Sequence, residues 1–221
     1  MADGIGKILR REIDEFAVYA CPFDRHHHWF QISVRRPRAS DTGFGAVVMH
    51  TNVTALQHDH LTGLANRALF ESQVQYVLEL ARQDGSAAGL ALVDLDGFKP
   101  VNDEFGHAAG DKVLCELAHR LTAVTTDEEL VARLGGDEFV IVTGIGCSAM
   151  ALERLARDLQ RVFKEPYSVD HTHCYLSGSI GTALYPEDGT TLELLLKSAD
   201  SRMYSMKRAF KTRHEKWNLR A

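Results

Sequence analysis

Arg133-Leu134-Gly135-Gly136-Asp137-Glu138-Phe139 runs two glycines into two carboxylates at the bend between apolar stretches. Leu130–Leu134 and Phe139–Val142 are β-prone. The glycine pair therefore falls where a tight hairpin needs positive φ, and where missing Cβ atoms let a phosphate approach the backbone. A second acidic pair, Asp94 and Asp96, ends the apolar run that starts at Gly89. Strand side chains alternate, so these carboxylates share one face while Leu95 points the other way. Such a pair alone reads equally well as a helix cap or a solvated strand end. With Asp137 beside Asp94 it becomes a candidate magnesium site, because that ion takes few carboxylates and completes its octahedron with water and substrate phosphate. Glu138 is then left to orient or deprotonate an attacking hydroxyl, or, in the plainer reading, to keep a hairpin edge solvated.

The segment from Phe98 to Asp111 lies between these sites. Asn102 offers an amide donor and acceptor, and Asp111 a carboxylate that can accept from the ring N–H and exocyclic amine of guanine, a donor pair adenine lacks. Lys99 can hold phosphate as a point charge. The competing reading is a Gly-broken helix with Asn102 and Asp111 as caps and His107 as packing.

These residues need a scaffold. Helical spacing is expected from about Arg67 to Arg82, at Val113, Leu114, Leu117, Ala118 and Leu121, and at Leu152, Leu155, Ala156, Leu159 and Val162. Gly89–Asp96 reads as a buried central strand, and Cys174–Leu184 and Thr191–Met206 add further strand and helix. The order βα, ββ, αβ with a terminal helix predicts an α+β fold: a nucleotidyltransferase-palm or ferredoxin-like antiparallel-centred sheet, its surrounding helices on one face. Such a sheet pairs the hairpin with the central strand and carries Asp137 and Glu138 to Asp94.

The chain has 221 residues, with 25 Lys and Arg against 30 Asp and Glu, so no basic field invites nucleic acid or anionic lipid. An acidic protein that binds a polyphosphate needs a divalent metal and a few placed lysines. Cys21, Cys115, Cys147 and Cys174 lack the close spacing of structural zinc sites and are expected as reduced, mostly buried thiols. Without a leader-like start or a membrane-length apolar run, a cytoplasmic location is expected.

From Asp59 onward the chain resembles the GGDEF domain, the catalytic unit of diguanylate cyclases. The motifs come in that family's order: Asp59-His60-Leu61-Thr62-Gly63-Leu64-Ala65-Asn66-Arg67; Asp94-Leu95-Asp96-Gly97-Phe98-Lys99 with Asn102-Asp103; Gly106-His107 and Gly110-Asp111. The signature Gly135–Phe139, Ser179-Ile180-Gly181, and Ala199-Asp200 with Tyr204 and Lys207 complete the series. The resemblance implies Mg2+, or Mn2+, held by Asp94, the carbonyl of Leu95 and Asp137, with Asp137 and Glu138 as catalytic carboxylates. It also implies GTP contacts at Phe98, Lys99, Asn102, His107, Asp111, Gly135, Gly136, Lys207 and Lys211. Such enzymes condense two GTP into cyclic di-GMP and two pyrophosphates, which requires two domains to face each other in a homodimer. The alternative is a catalytically silent module that binds GTP or a protein partner as a regulator.

Two positions depart from the family pattern. Where the family usually has Arg four residues after the lysine, this chain has Lys211, which keeps charge on the Lys207 face but loses bidentate phosphate geometry. Weakened GTP binding is expected. Where many members carry the Arg-x-x-Asp of an inhibitory product site, this chain has Thr126 and Glu129, so activity without tight product inhibition there is expected.

The block before Asp59 is of another kind. Glu15–Tyr19, Trp29–Val34 and Gly45–His50 are strand-like, after an amphipathic opening from Ile5 to Ile13. Trp29–Val34 and Gly45–Thr54 resemble the last strands and exit motif of a PAS sensor domain, which sets expected domains at 1–57, a partial PAS-like segment, and 58–221. Most of the ligand-enclosing half has no counterpart in this block, so no haem or flavin pocket is expected. His26-His27-His28 reads as a solvated turn rather than a metal site.

Overall fold

The computed structural model describes residues 15–20, 30–35, 47–52, 57–169 and 172–218. The opening stretch Ile5–Ile13, Cys21 and His26–His28 lie outside the described residues. The chain divides into two compact units, Met1–His58 and Asp59–Ala221. In the first unit β1 (Glu15–Ala20), β2 (Phe30–Arg35) and β3 (Val47–Asn52) form an antiparallel sheet with β2 in the middle, so the three expected strands are present. Ser33 and Val34 of the central strand are buried, whereas Val47, Val48 and Met49 of the edge strand are exposed.

In the second unit the order is α1 (Arg67–Asp84), β4 (Ala88–Asp96), α2 (Phe98–Phe105), α3 (His107–Val124), β5 (Leu130–Gly135), β6 (Glu138–Ile145), α4 (Ala149–Arg161), β7 (Tyr167–Val169), β8 (Thr172–Cys174), β9 (Ser177–Tyr185) and α5 (Leu192–Asn218). The main sheet is antiparallel throughout, in the order β5-β6-β4-β9, and β7 and β8 form a small hairpin apart from it. This is the α+β palm arrangement that the order of elements predicts.

One part of that expectation is corrected: the helices cover both faces of the sheet. Ala91, Val93 and Leu95 of β4 join Phe139, Ile141 and Ile180 in a core shared with Val113 and Leu117 of α3 and Leu155 and Leu159 of α4. On the opposite face α1 and α5 pack against the sheet. The reason is visible in β4, buried from Ala88 to Leu95 without alternation, which a sheet solvated on one side does not produce. Helix α5 sits directly on β9: a Cβ at Gly181 would run into the carbonyl of Ala199 and the backbone of Met203. That close seat extends α5 over the strand ends, where Lys207 meets Asp94.

Asn66 and Ser148 cap α1 and α4, their side-chain oxygens accepting from the amides of Leu69 and Ala151. Cys115, Cys147 and Cys174 are free, half-buried thiols. Among the described residues no helix is long and apolar enough to cross a membrane.

Candidate active site

Gly135 and Gly136 have φ of 142° and 55°, so the turn between β5 and β6 uses the backbone region glycine alone enters without cost. A Cβ at either would meet nothing within 4 Å, which leaves the space above the turn open to a ligand. Arg133 fixes the turn from behind. Its Nε and Nη2 donate to the carbonyl of Gly136 at 3.1 and 2.8 Å, and its Nη1 donates to Asp59 Oδ1 at 2.9 Å. Asp59 also accepts from the amide and hydroxyl of Thr62. Burial would raise the Asp59 carboxyl, but the Thr62 and Arg133 hydrogen bonds outweigh it and hold the group below its ordinary range.

The pinned turn delivers its carboxylates to the end of β4. Asp94 is the register partner of Glu138, and the amide of Leu95 donates to the carbonyl of Asp137 at 3.4 Å. Asp94, Leu95, Phe98, Lys99, Asp137 and Lys207 line one cavity of about 780 Å³, walled on the far side by Cys174–Ser177 between β8 and β9. Glu138 faces a separate depression of about 260 Å³ with Arg67, Lys197 and Asp200. The two signature carboxylates thus line different hollows.

Within the cavity Asp94 is buried, and its Oδ1 lies 2.5 Å from Lys207 Nζ. Lys207 is thus the close charged partner of a carboxylate oxygen that is otherwise shut off from solvent. Burial pushes the Asp94 carboxyl above its ordinary range; Lys207 opposes this, and the charges of Asp137 and Asp96 add to it. Asp96 is in different company. It accepts from Ser179 Oγ at 3.0 and 2.9 Å and from Ser177 Oγ at 3.2 Å.

The donor set fits a hard divalent cation. Asp94, Asp96, Glu104 and Asp137 line the cavity against Lys99 and Lys207, leaving an excess of negative charge and a buried carboxylate oxygen whose one close partner among the described residues is the Lys207 ammonium. No group of three or more potential ligands is preassembled among the described residues. A short protein donor set suits magnesium, which keeps water and phosphate oxygens in its shell.

Asn102, His107 and Asp111 stand outside this lining. The segment is indeed helix broken at Gly106, but Asn102 and Asp111 do not cap it: the flanking cap positions are Gly97 and Gly106. Asn102 lies over Gly110, where its amide oxygen fills the position a Cβ would take, and the Phe98 ring edge lies 3.1 Å from the same point. Asn102 and Phe98 thus pack over the residue that precedes Asp111, and Phe98 also lines the cavity. Lys211 belongs to α5, and its side chain lies outside the described residues.

The sequence matches the family described as "Diguanylate cyclase, GGDEF domain" over residues 56–213. The chain belongs to the GGDEF family. It is 41% identical over 150 residues to the bifunctional diguanylate cyclase/cyclic di-GMP phosphodiesterase MucR of Pseudomonas aeruginosa, covering 68% of this chain and 22% of MucR. To the diguanylate cyclase TpbB of the same species it is 40% identical over 152 residues, covering 68% of this chain and 35% of TpbB. The solved GGDEF domain of TpbB superposes with a TM-score of 0.66 at 39% identity, covering 69% of this chain and 89% of that one. The chain thus spans about a fifth to a third of the length of these curated relatives.

In this GGDEF domain, Thr126 and Glu129 close a turn on each other. The Thr126 amide donates to Glu129 Oε2 at 2.8 Å, and the Glu129 amide donates to the Thr126 carbonyl at 3.1 Å. The Cys174–Ser177 wall, the Ser177 and Ser179 contacts to Asp96, and the Arg133 clamp were not foreseen as parts of the site. Register pairs Asp94 with Ser179 and Asp96 with Ser177 across β4 and β9, a relation that motif spacing does not carry.

Proposed function

We propose that this chain is a diguanylate cyclase that joins two GTP molecules into cyclic di-GMP and releases two pyrophosphates. The observation that carries the reading is the convergence of Asp94, Asp137, Lys99 and Lys207 on one cavity beside an open, backbone-pinned Gly135-Gly136 turn.

In each half-reaction the 3′-hydroxyl oxygen of one nucleotide attacks the α-phosphorus of the other, its proton passes to Glu138, and pyrophosphate leaves with the electron pair of the broken P–O bond. Asp94, the carbonyl of Leu95 and Asp137 would hold Mg2+ or Mn2+, which when bound offsets charge building on phosphorus. Lys99, Lys207 and Lys211 hold phosphate oxygens, and the amides around Gly135 and Gly136 come close to them. Asn102 and Asp111 read the guanine edge, while Phe98 and His107 contact the same nucleotide. One domain presents one GTP, so turnover requires a homodimer, with neither nucleic acid nor membrane as partner, in the cytoplasm. Residues 58–221 form the cyclase domain, and 1–57 a partial PAS-like segment.

Glu129 is committed to Thr126 and no arginine is present at position 126, so product inhibition at this position is weak. Potent inhibition by added cyclic di-GMP that Glu129→Ala abolishes would overturn that part. The main test is incubation of the protein at high concentration with GTP and Mg2+, followed by nucleotide chromatography. Cyclic di-GMP is expected; none at all leaves the silent regulatory module as the answer. Glu138→Gln is expected to stop turnover and spare GTP binding, and retained turnover removes Glu138 from its assigned role.

A further inference from the structure

We propose that Lys207 is the built-in counter-ion of the metal site: it neutralises Asp94 in the nucleotide-free protein and transfers to substrate phosphate as a metal–nucleotide complex enters. Metal and nucleotide therefore load together, not metal first. The inference rests on reading the cavity as a metal–nucleotide site.

The Lys207 ammonium lies 2.5 Å from the buried Oδ1 of Asp94, the place a metal cation would take. Asp96, the other strand carboxylate, is already satisfied by Ser177 and Ser179 and offers Lys207 no comparable need. Helix α5 is seated against β9 at Gly181, so the exchange is made by the flexible lysine stem and not by the helix. The Lys207 side chain is about one-third exposed, which leaves the ammonium a path out of the contact.

A divalent ion arriving alone must displace this ammonium and then stand beside it, like charge against like charge. An ion arriving with a triphosphate brings the ammonium a new anionic partner. The two ligands are thus coupled through Lys207, each raising the affinity of the other by one shared factor.

The test measures Mn2+ binding to the full chain by the loss of the free-ion electron paramagnetic resonance signal, with and without an α,β-methylene analogue of GTP. Wild type is expected to bind Mn2+ weakly alone and more tightly with the analogue. Lys207→Met is expected to bind Mn2+ alone about tenfold more tightly, with a correspondingly smaller gain from the analogue. Lys207→Arg, which keeps the charge, returns the weak behaviour, and Asp94→Asn in the Lys207→Met background removes the tightened site. Mn2+ binding by Lys207→Met that is no tighter than wild type overturns the proposal, as does tightened binding that survives Asp94→Asn. Circular-dichroism melts accompany each variant, and Lys207→Gln carries the same expectation should Lys207→Met fail to fold. Because these titrations contain no turnover, absence of cyclic di-GMP in the GTP assay sinks the cyclase reading alone, whereas unchanged Mn2+ affinity sinks this one alone.

Discussion

Asp94 and Asp96 are the same residue type, two positions apart on the same strand face, and the fold treats them in opposite ways. Around Asp96, β9 supplies two hydroxyls that saturate the carboxylate with neutral donors. Around Asp94, α5 supplies a single ammonium in a close ion pair, and the charges of Asp137 and Asp96 raise the carboxyl further after burial has done so. Ser179 lies opposite Asp94 in register, yet its hydroxyl turns to Asp96. The lesson is that an anchored carboxylate and an exchangeable one can be neighbours. The first stiffens the strand end, and the second keeps binding capacity in reserve.

The sharpest test of this contrast replaces each carboxylate by its amide. Asp94→Asn is expected to lower turnover about 10²–10³-fold, the scale for losing one preorganised electrostatic group at a reacting centre. Its thermal midpoint should rise, because a buried carboxylate whose folded pKa is raised costs stability at neutral pH. Asp96→Asn should do the reverse, losing stability and keeping most turnover. Equal kinetic losses in the two variants would end the distinction.

Next in size is Arg133→Ala, which releases the turn that brings Asp137 to Asp94. Loss of its hydrogen bonds to Gly136 and Asp59 should cost about 1–3 kcal/mol in denaturant unfolding, with turnover falling as well. Unchanged stability would show that the turn holds itself. The double change Ser177→Ala with Ser179→Ala makes the surroundings of Asp96 more like those of Asp94. It should cost about 1–2 kcal/mol and lower turnover less than Asp94→Asn does. Retention of full stability would show that the hydroxyls are incidental.

The smallest effect concerns the anchorage of α5, which carries Lys207. The Arg202 guanidinium donates to Asp188 and to the Thr182 carbonyl, and the Asp188 carboxyl is held below its ordinary value of 3.8, chiefly by Arg202. A depressed folded pKa contributes stability above pH 3.8 that disappears as pH falls through the folded value. Asp188→Asn should therefore be about 1 kcal/mol less stable at pH 7, modest because Arg202 is half exposed, and the gap to wild type should close in acid. A gap that persists unchanged to pH 2 would assign the loss to something other than this ion pair.

Much of the site was legible because its chemistry is local in sequence. The Gly135-Gly136 turn, the alternation that puts Asp94 and Asp96 on one face, and the helix broken at Gly106 all follow from backbone preferences over a few residues. The cap roles of Asn102 and Asp111 were an alternative that Gly97 and Gly106 displaced, since both glycines already hold the positive φ at the helix entrances. The single-faced helix layer failed because element order does not state which face a helix takes, although the unbroken apolar run of β4 carried the correction.

The sequence by itself determined the order of the main-sheet strands and the helices but not the small β7–β8 hairpin, and it determined the signature turn, the family, and which carboxylates and lysines are available, because each depends on residue type and short-range periodicity. Only the tertiary structure decided which of two equal aspartates is saturated, that Asp137 and Glu138 open to different hollows, and that Lys207 reaches across from α5 to Asp94. Those outcomes depend on register between strands distant in sequence and on the seating of one helix over a glycine, and no local spacing encodes either.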